Sequence, residues 1–188
     1  MRIRLASNVL QNLAKDFKVQ IDEHQNNMDI DIRRVDKVSD ADGKEALFIE
    51  IFLPSSFTEK AELASSVNTL RLTSTDFPFE FGGKAKLVFL EDIKNCITLD
   101  CSIDMEIFAK NLPREIEINQ INASSVLHIP QNAQVVTKIK GKSNRIRFSD
   151  NNSDANQAES EAASRIEVAG MNAELLIVKD IKDVKEAI

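Results

Sequence analysis

The sequence predicts an all-β protein, a single-stranded parallel β-solenoid with short capping helices, in which successive coils of one chain stack on each other. From about Glu59 onward, apolar and polar residues alternate with a period of two, in short segments without helical spacing. These segments recur mostly every eight to eleven residues. Hairpin turns are poorly encoded, because Asp42-Gly43 is the only Asn-Gly or Asp-Gly pair among five glycines. Short, regular strands without hairpin signals favour a stack of coils.

Eleven segments of three residues each place two apolar side chains on one face of a strand. They are residues 61–63, 70–72, 79–81, 87–89, 97–99, 105–107, 116–118, 127–129, 146–148, 166–168 and 175–177. A further segment, 137–139, halves the gap between Leu127 and Ile146. Two such strands make a rung of about twenty residues, so the sequence predicts roughly five or six rungs that bury one apolar column.

Small polar residues precede several of these apolar pairs, at Asn68, Asn95, Ser125 and Asn144. Asn tolerates the left-handed backbone conformation and can hydrogen-bond to its own backbone. We therefore expect these residues at the corners where the chain passes from one face of the coil to the next.

The N-terminal region, 1–53, has a different pattern and is predicted to be a cap. Apolar residues between 7 and 17 have helical spacing, and segments 17–21, 28–35 and 47–53 alternate as strands. An open stack would expose strand edges and apolar side chains, so a lid is expected at its end.

The rest of the chain is predicted to complete a single domain. Solenoid rungs occupy 54–148, and 149–164, which has no large apolar residue, is predicted to be a mobile acidic loop. Residues 165–188 are predicted to form the last rung and a terminal helix that close the stack. Because alternation does not determine strand direction, an antiparallel β-sandwich is the alternative fold.

Composition excludes several classes of ligand. Lys and Arg number 24 against 30 Asp and Glu, a net charge of −6, which argues against duplex nucleic acid and anionic lipid. The chain has ten Phe but no Trp or Tyr, which argues against sugar binding and single-strand nucleic-acid binding by ring stacking. No segment is long and apolar enough to span a membrane and Met1–Leu5 lacks the apolar core of a secretion signal, so a cytoplasmic location is expected; a trimmed chain would also be compatible with the cell surface.

The acidic loop contains a partial match to a calcium-binding loop. Its oxygen ligands have the positions 1, 3, 5, 7 and 12 of that motif: Asp150, Asn152, Asp154, Asn156 and Glu161. Ala155 stands where glycine makes the sharp turn, and the preceding segment alternates like a strand. A solvated loop is therefore the preferred interpretation, and no metal or cofactor is predicted.

No catalytic constellation is evident. Cys96 and Cys101 are five residues apart, which in a strand places them on opposite faces as free thiols. His128 has outward parity and is expected to be a solvated surface imidazole, and His24 lies in a polar tract. Gly82-Gly83-Lys84 lacks the Walker spacing and is expected to be a turn. Four carboxylates fit the acids of β-helix polysaccharide enzymes but are expected to be solvated outer-face charges: Asp100, Asp104, Glu106 and Glu117.

Three segments give the chain a family resemblance, namely 64–72, 122–130 and 142–148, each with small polar residues before an apolar pair. Over about 50–179 the chain resembles the bacterial putative-adhesin domain, a right-handed parallel β-solenoid family of unknown function, and at the same level bactofilins, which are polymerising cytoskeletal solenoids. The resemblance implies a non-catalytic scaffold or protein-interaction module that binds a protein partner or itself. A self-polymerising structural protein and a small β-helix carbohydrate-active enzyme are the alternatives.

Overall fold

The structure, a computed structural model, describes residues 2–7, 15, 17–24, 27–34, 47–149 and 163–181. Their contacts divide the chain into two compact units, Met1–Phe57 and Thr58–Ile188. The predicted acidic loop beyond Ser149, the terminal helix and most of the helical segment between 7 and 17 lie outside the described residues.

The first unit contains two antiparallel strand pairs. Strand β1 (Arg2–Ser7) pairs with β4 (Leu47–Phe52), and β2 (Phe17–His24) pairs with β3 (Asn27–Arg34). The three predicted strands are present, and β1 is an additional one. In the β1–β4 pair, the Arg2 guanidinium lies 4.2 Å from the centre of the Phe52 ring, a cation–π contact between cross-strand partners.

The second unit is a parallel β-solenoid. Its strands are β5 (Ala61–Thr75), β6 (Phe79–Ile93), β7 (Cys96–Cys101), β8 (Glu106–Ala109), β9 (Glu115–Ile121), β10 (Ser124–Pro130), β11 (Val135–Ile139), β12 (Arg145–Phe148), β13 (Ser164–Met171) and β14 (Glu174–Ile181). Every pairing between these strands is parallel. The predicted solenoid is therefore confirmed, and the antiparallel sandwich is wrong.

Each rung consists of two strand segments, which we call its first and second limb. In the first two rungs, both limbs belong to one long strand, β5 or β6. The N-terminal part of β6 pairs with β7 and its C-terminal part with β8, so β7 and β8 form the third rung. In the first limb, Phe79, Ile97 and Ile116 occupy the same register position in successive rungs, at nearly constant intervals along the chain. The predicted repeat of about twenty residues per rung is confirmed over the first four rungs, which end with β9–β10.

The last two rungs are stacked out of chain order. Strands β13 and β14 pair with β9 and β10, whereas β11 and β12 pair only with β13 and β14 among the described strands. We call β13–β14 the inserted rung and β11–β12 the end rung. Residues 131–134, which connect β10 to β11, therefore step over the level of the inserted rung, about two strand spacings of roughly 4.8 Å each.

This order corrects the prediction that the C-terminal rung closes the stack. The inserted rung has fully buried Ile166 and Ile177 and two further buried apolar residues, Val168 and Leu175, so it gains from neighbours on both sides. The end rung has short strands rich in Lys and Arg, features that proteins use at unpaired sheet edges.

The core consists of columns of inward-pointing side chains. Each column contains the residues that occupy the same inward position in successive rungs. In β7 the inward residues Ile97 and Leu99 are buried, and the alternate residues Cys96, Thr98 and Asp100 are half-buried. Because each rung lies in register on the next, Ile97 lies between Phe79 and Ile116. The columns contain predicted apolar pairs of successive rungs, such as 79–81, 97–99 and 116–118. The predicted pair 87–89 is wrong, because Val88 and Leu90 are the buried residues there and Leu87 and Phe89 are on the other face of the strand.

The corners use left-handed backbone, but at other residues than predicted. Among the described residues, the non-glycine positions with positive φ are Ser74, Asp92, Asn122, Ser143 and Asn172. The predicted corner residues, such as Asn68 and Asn95, are not among them, although the carboxamide oxygen of Asn95 accepts a hydrogen bond from the Cys96 amide at 2.8 Å. At these corners, the left-handed backbone and the side-chain hydrogen bond are thus provided by different residues.

Gly82 and Gly83 do not form a turn between strands, as the sequence predicted, but lie inside the continuous β6. Gly83 has a φ of 136°, and a Cβ there would collide with the carbonyl oxygen of Ser65 in the preceding rung. At Gly82 a Cβ would meet nothing within 4 Å. Of these two glycines, only Gly83 is therefore required by the close approach of two rungs.

Gly83→Ala is expected to lower the free energy of unfolding by at least about 2 kcal/mol, because strained φ and a backbone collision both penalise the native state. Gly82→Ala, the matched control, is expected to change it by less than about 0.5 kcal/mol or to stabilise slightly. Urea denaturation followed by circular dichroism measures both. Equal losses in the two variants would contradict the assignment of the close contact to Gly83.

Candidate interaction surfaces

An outward ladder of stacked side chains crosses four consecutive rungs. It consists of four register partners: Arg71 on β5, Phe89 on β6, Phe108 on β8 and His128 on β10. The Arg71 guanidinium lies 4.6 Å from the Phe89 ring centre, the two Phe rings stack at 5.2 Å, and His128 stacks on Phe108 at 4.6 Å. We call these four residues the aromatic ladder. Parallel register produces it, because identical positions of successive rungs are neighbours.

His128 joins the ladder to carboxylates on both neighbouring rungs. Its Nδ1 lies 2.8 Å from an Asp180 carboxylate oxygen on β14, and its Nε2 lies 3.4 Å from Glu106 on β8. The side chain is only 16% exposed. The predicted solvated imidazole is therefore wrong, since the ring is stacked, half-buried and paired.

The sequence contained the signal for this ladder. Phe89, Phe108 and His128 follow one another at close to the predicted rung repeat of roughly twenty residues. Applying that repeat to outward as well as inward positions would have placed these rings together. The contact of His128 with Asp180 does not follow from this repeat, because the position of Asp180 depends on the order of the last two rungs.

The end rung forms a second surface, which is strongly cationic. Between 135 and 148 there are five basic residues and no Asp or Glu: Lys138, Lys140, Lys142, Arg145 and Arg147. The inward-pointing Ile139 is 52% exposed because, among the described strands, none covers this end of the stack. Cationic and apolar groups are thus presented together at an unpaired strand edge.

Glu167 fastens the end rung to the inserted rung. Its side chain is 1% exposed, contacts the Lys140 ammonium and lies 3.3 Å from that of Lys138. Burial on its own raises the pKa of Glu167, but hydrogen bonds from the two lysines and their charges outweigh burial and hold the pKa below the ordinary value of 4.5. The carboxylate is therefore kept ionised by the strand that it anchors.

The four predicted outer-face carboxylates do not converge on one site. Asp100 and Glu117 are half-buried on first-limb strands, and Glu106 is an outward residue of the second limb beside His128. Asp104 lies at the corner and accepts a hydrogen bond from the Ser124 amide at 2.7 Å. The prediction of separate outer-face charges fits this arrangement better than a pair of acids on one face of the coil.

The two cysteines lie on opposite faces of β7, as predicted. Cys96 is half-buried and Cys101 is buried, and both are free thiols. Burial raises the pKa of the Cys101 thiol to about 11, which leaves it protonated and unreactive at neutral pH.

The remaining predicted sites are only partly described. The candidate calcium ligands, from Asp150 to Glu161, lie outside the described residues. Within the described ranges, no three His, Cys, Asp or Glu side chains are grouped so that they could hold a metal ion. The described residues also include no helix with the length and apolar character needed to cross a membrane.

Comparisons with known proteins identify no relative. No protein family, curated protein or solved structure matches this chain. The resemblance to adhesin domains and bactofilins therefore stays a prediction.

The aromatic ladder is expected to couple adjacent rungs energetically. In a double-mutant cycle, Phe89→Leu and Phe108→Leu should show a coupling of about 0.5–1.5 kcal/mol, because each variant keeps apolar volume but loses the ring stack. Phe108→Leu combined with Phe148→Leu is the control, since Phe148 lies on the end rung and should give additive losses. Urea denaturation measures both cycles, and a coupling near zero for Phe89 and Phe108 would contradict the ladder.

Glu167→Gln is expected to remove part of the acid sensitivity of folding. Because the folded pKa of Glu167 is lowered, its stabilisation is complete above the ordinary pKa of 4.5 and is lost as the pH falls below it. The variant should thus be less stable than the wild type at pH 7, and the difference should shrink as the pH falls from 5 to 3. Thermal denaturation across this range measures it. Glu117→Gln, a register neighbour without a described ion pair, is the control, and an equal pH effect there would refute the assignment.

Proposed function

We propose that the chain is a non-catalytic scaffold that binds a protein partner at the end rung, where an extended acidic segment of the partner adds as a further parallel strand. The observation that supports this proposal is the unpaired, cationic edge of β11 and β12. The enzyme alternative has no comparable support, because the carboxylates that suggested it are dispersed.

The edge supplies the hydrogen-bonding groups for strand addition. Strands β11 and β12 pair on one side only among the described strands, so their other side presents backbone N–H and C=O groups. Extended peptides bind such edges through main-chain hydrogen bonds, and side-chain pockets give specificity. Ile139 offers an apolar contact at the first limb of this edge.

The charge of the edge selects an acidic partner. Lys142 and Arg147 make no ion pair with described residues, and Arg145 is 3.7 Å from Glu174 with its side chain largely exposed. A local cluster of five cations on a chain of net charge −6 attracts anionic segments and repels a like end of a second copy.

Self-polymerisation is the second candidate, and the register gives it specific support. One row of register partners runs through the whole stack. It contains, in order, Glu62, Glu80, Thr98, Glu117, Glu167 and Lys138. If the β5 edge of a second copy continued the row, its Glu62 would lie beside Lys138 and its Leu63 against Ile139. Such a head-to-tail contact does not close and would produce filaments.

Binding of a labelled peptide of roughly ten residues with alternating Glu and Val, followed by fluorescence anisotropy, tests the first candidate. Lys142→Glu combined with Arg147→Glu should weaken binding at least tenfold, because two end-rung cations become repulsive. The control is Lys84→Glu combined with Lys86→Glu, which makes the same charge change on exposed residues of β6. Added salt should weaken wild-type binding.

Equal affinities of the two double variants, or no binding to the wild type at low salt, would refute the end rung as the docking site. Sedimentation velocity without peptide tests the second candidate. Concentration-dependent oligomers that are lost in Lys138→Glu and restored in Lys138→Glu with Glu62→Lys would establish self-association and displace the acidic peptide as the occupant.

A further inference from the structure

We propose that the β9–β10 edge can receive either of the last two rungs, so that the chain has two rung orders with different docking ends. The observed order stacks β13–β14 on β9–β10 and leaves β11–β12 at the end. The alternative follows the chain order, with β11–β12 on β9–β10 and β13–β14 at the end. This inference rests on the proposed function, because it regulates which surface is available for docking.

The sequential order satisfies the repeat that the earlier rungs follow. Thr137 occupies the same column as Ile116 and follows it by nearly the interval that separates the earlier rungs, and Phe148 follows Leu127 in the second limb in the same way. In the observed order, by contrast, Ile166 follows its register partner Ile116 by more than twice that interval. The β9–β10 edge thus has two register-compatible partners in the same chain.

Apolar burial discriminates weakly between the two orders. The inserted rung places Ile166, Val168, Leu175 and Ile177 in the column. The end rung has Ile139, Ile146 and Phe148 at the positions of Val168, Leu175 and Ile177. Thr137 stands at the position of Ile166, and Val135 stands at that of Ser164. Exchanging the rungs would therefore replace one set of apolar contacts by another of comparable area.

The charges of the row that contains Glu117, Glu167 and Lys138 favour the sequential order. In the observed order, Glu117 and Glu167 are register partners and Lys138 lies beyond them. In the sequential order Lys138 would lie between the two glutamates, so that each would adjoin a cation and the contact between like charges would be lost.

Three specific contacts hold the observed order. Asp180 lies 2.8 Å from His128, the Asn172 carboxamide donates a hydrogen bond to that of Asn122 at 2.8 Å, and the Arg165 guanidinium lies 3.7 Å from the Glu115 carboxylate. All three join the inserted rung directly to the fourth rung, and all three would be broken if the end rung came between. Their loss opposes the gain from the alternating charges of the glutamate row, so that the specific contacts of the two orders act in opposite directions.

The two orders present different chemistry at the docking end. The end rung in the observed order has five cations and no carboxylate, whereas the inserted rung has two basic and three acidic residues over 164–181. A partner that binds the cationic edge would therefore stabilise the observed order, and the sequential order would withdraw that edge into the stack.

Disulfide trapping during refolding distinguishes the orders. Glu115 is the register partner of Cys96 on one side and of Arg165 on the other, and Arg165 is in turn the partner of Val136. In a background of Cys96→Ser and Cys101→Ala, Glu115→Cys with Arg165→Cys reports the observed order. Glu115→Cys with Val136→Cys reports the sequential order, because neighbouring strands permit a disulfide and strands two spacings apart do not. Glu115→Cys with native Cys96, in Cys101→Ala alone, is the control for a pair shared by both orders.

The full-length chain is diluted from urea into oxidising buffer, and linked species are separated by non-reducing electrophoresis. We expect both reporter pairs to form, and Asp180→Asn to raise the yield of the Val136 pair at least threefold. Asp92→Asn, which alters the acceptor of a Ser74 hydrogen bond that both orders share, should leave the yield unchanged.

Formation of the Arg165 pair without any Val136 pair, in the wild type and in Asp180→Asn, would refute two orders but leave the cationic docking end intact. Formation of the Cys96 control pair alone would show that neither rung docks on β9–β10, which would overturn the proposed docking end as well. Peptide binding measured separately on the wild type thus distinguishes the failure of the two proposals.

Discussion

In-register parallel pairing is the constraint on which the rest of this solenoid depends. It makes each residue a neighbour of the equivalent residue one rung away. The side chain that suits one position therefore depends on the side chains at the same position in the neighbouring rungs. Inward columns become continuous apolar pillars, as at Phe79, Ile97 and Ile116. Outward columns repeat whatever chemistry they contain, and the result is a stack of rings in one limb and a row of glutamates in the other. The same rule that stabilises aromatic rings brings like charges together. Lys138 and Lys140 compensate for that cost at Glu167, and Lys60 does so at the pair Glu62 and Glu80.

The corners show how the stack buries backbone while pairing its polar groups. Gln120 is almost fully buried, yet its carboxamide donates to the Ile103 carbonyl at 2.8 Å and accepts from the Ser125 hydroxyl at 3.0 Å. The Ser125 oxygen in turn accepts from the Met105 amide at 3.1 Å. At this corner, side chains that join the third and fourth rungs thus form hydrogen bonds with backbone groups outside the strands.

Local sequence was sufficient for the class of fold but not for its order. Alternation, the regular interval between segments and the lack of hairpin turns predicted stacked parallel strands, the two-faced placement of Cys96 and Cys101, and the number of rungs. They did not predict that both segments of each of the first two rungs join in one strand of 15 residues, β5 or β6. They did not predict that 163–181 precedes 135–148 in the stack, because both segments satisfy the same inward pattern and period alone does not choose between register-compatible partners. His128 was misjudged for a related reason, since Asp180 is distant in sequence and reaches it only through the inserted rung. The two-glycine segment was misread as a turn because a local motif does not reveal that Gly83 must pass close to Ser65.

The end of a solenoid is where its energetic and functional requirements conflict. A rung inside the stack gains burial on both sides, whereas the last rung leaves one strand edge and one layer of apolar side chains open to water. Natural solenoids reduce this cost with short, charged end strands, and β11 and β12 have that character. Charge on an edge also determines what can add to it: lysines and arginines repel a like edge but attract an acidic one. The charge that opposes pairing of two like ends is therefore the same feature that would give a docking partner its specificity. A chain able to place either of two rungs at that position would control both properties with one rearrangement.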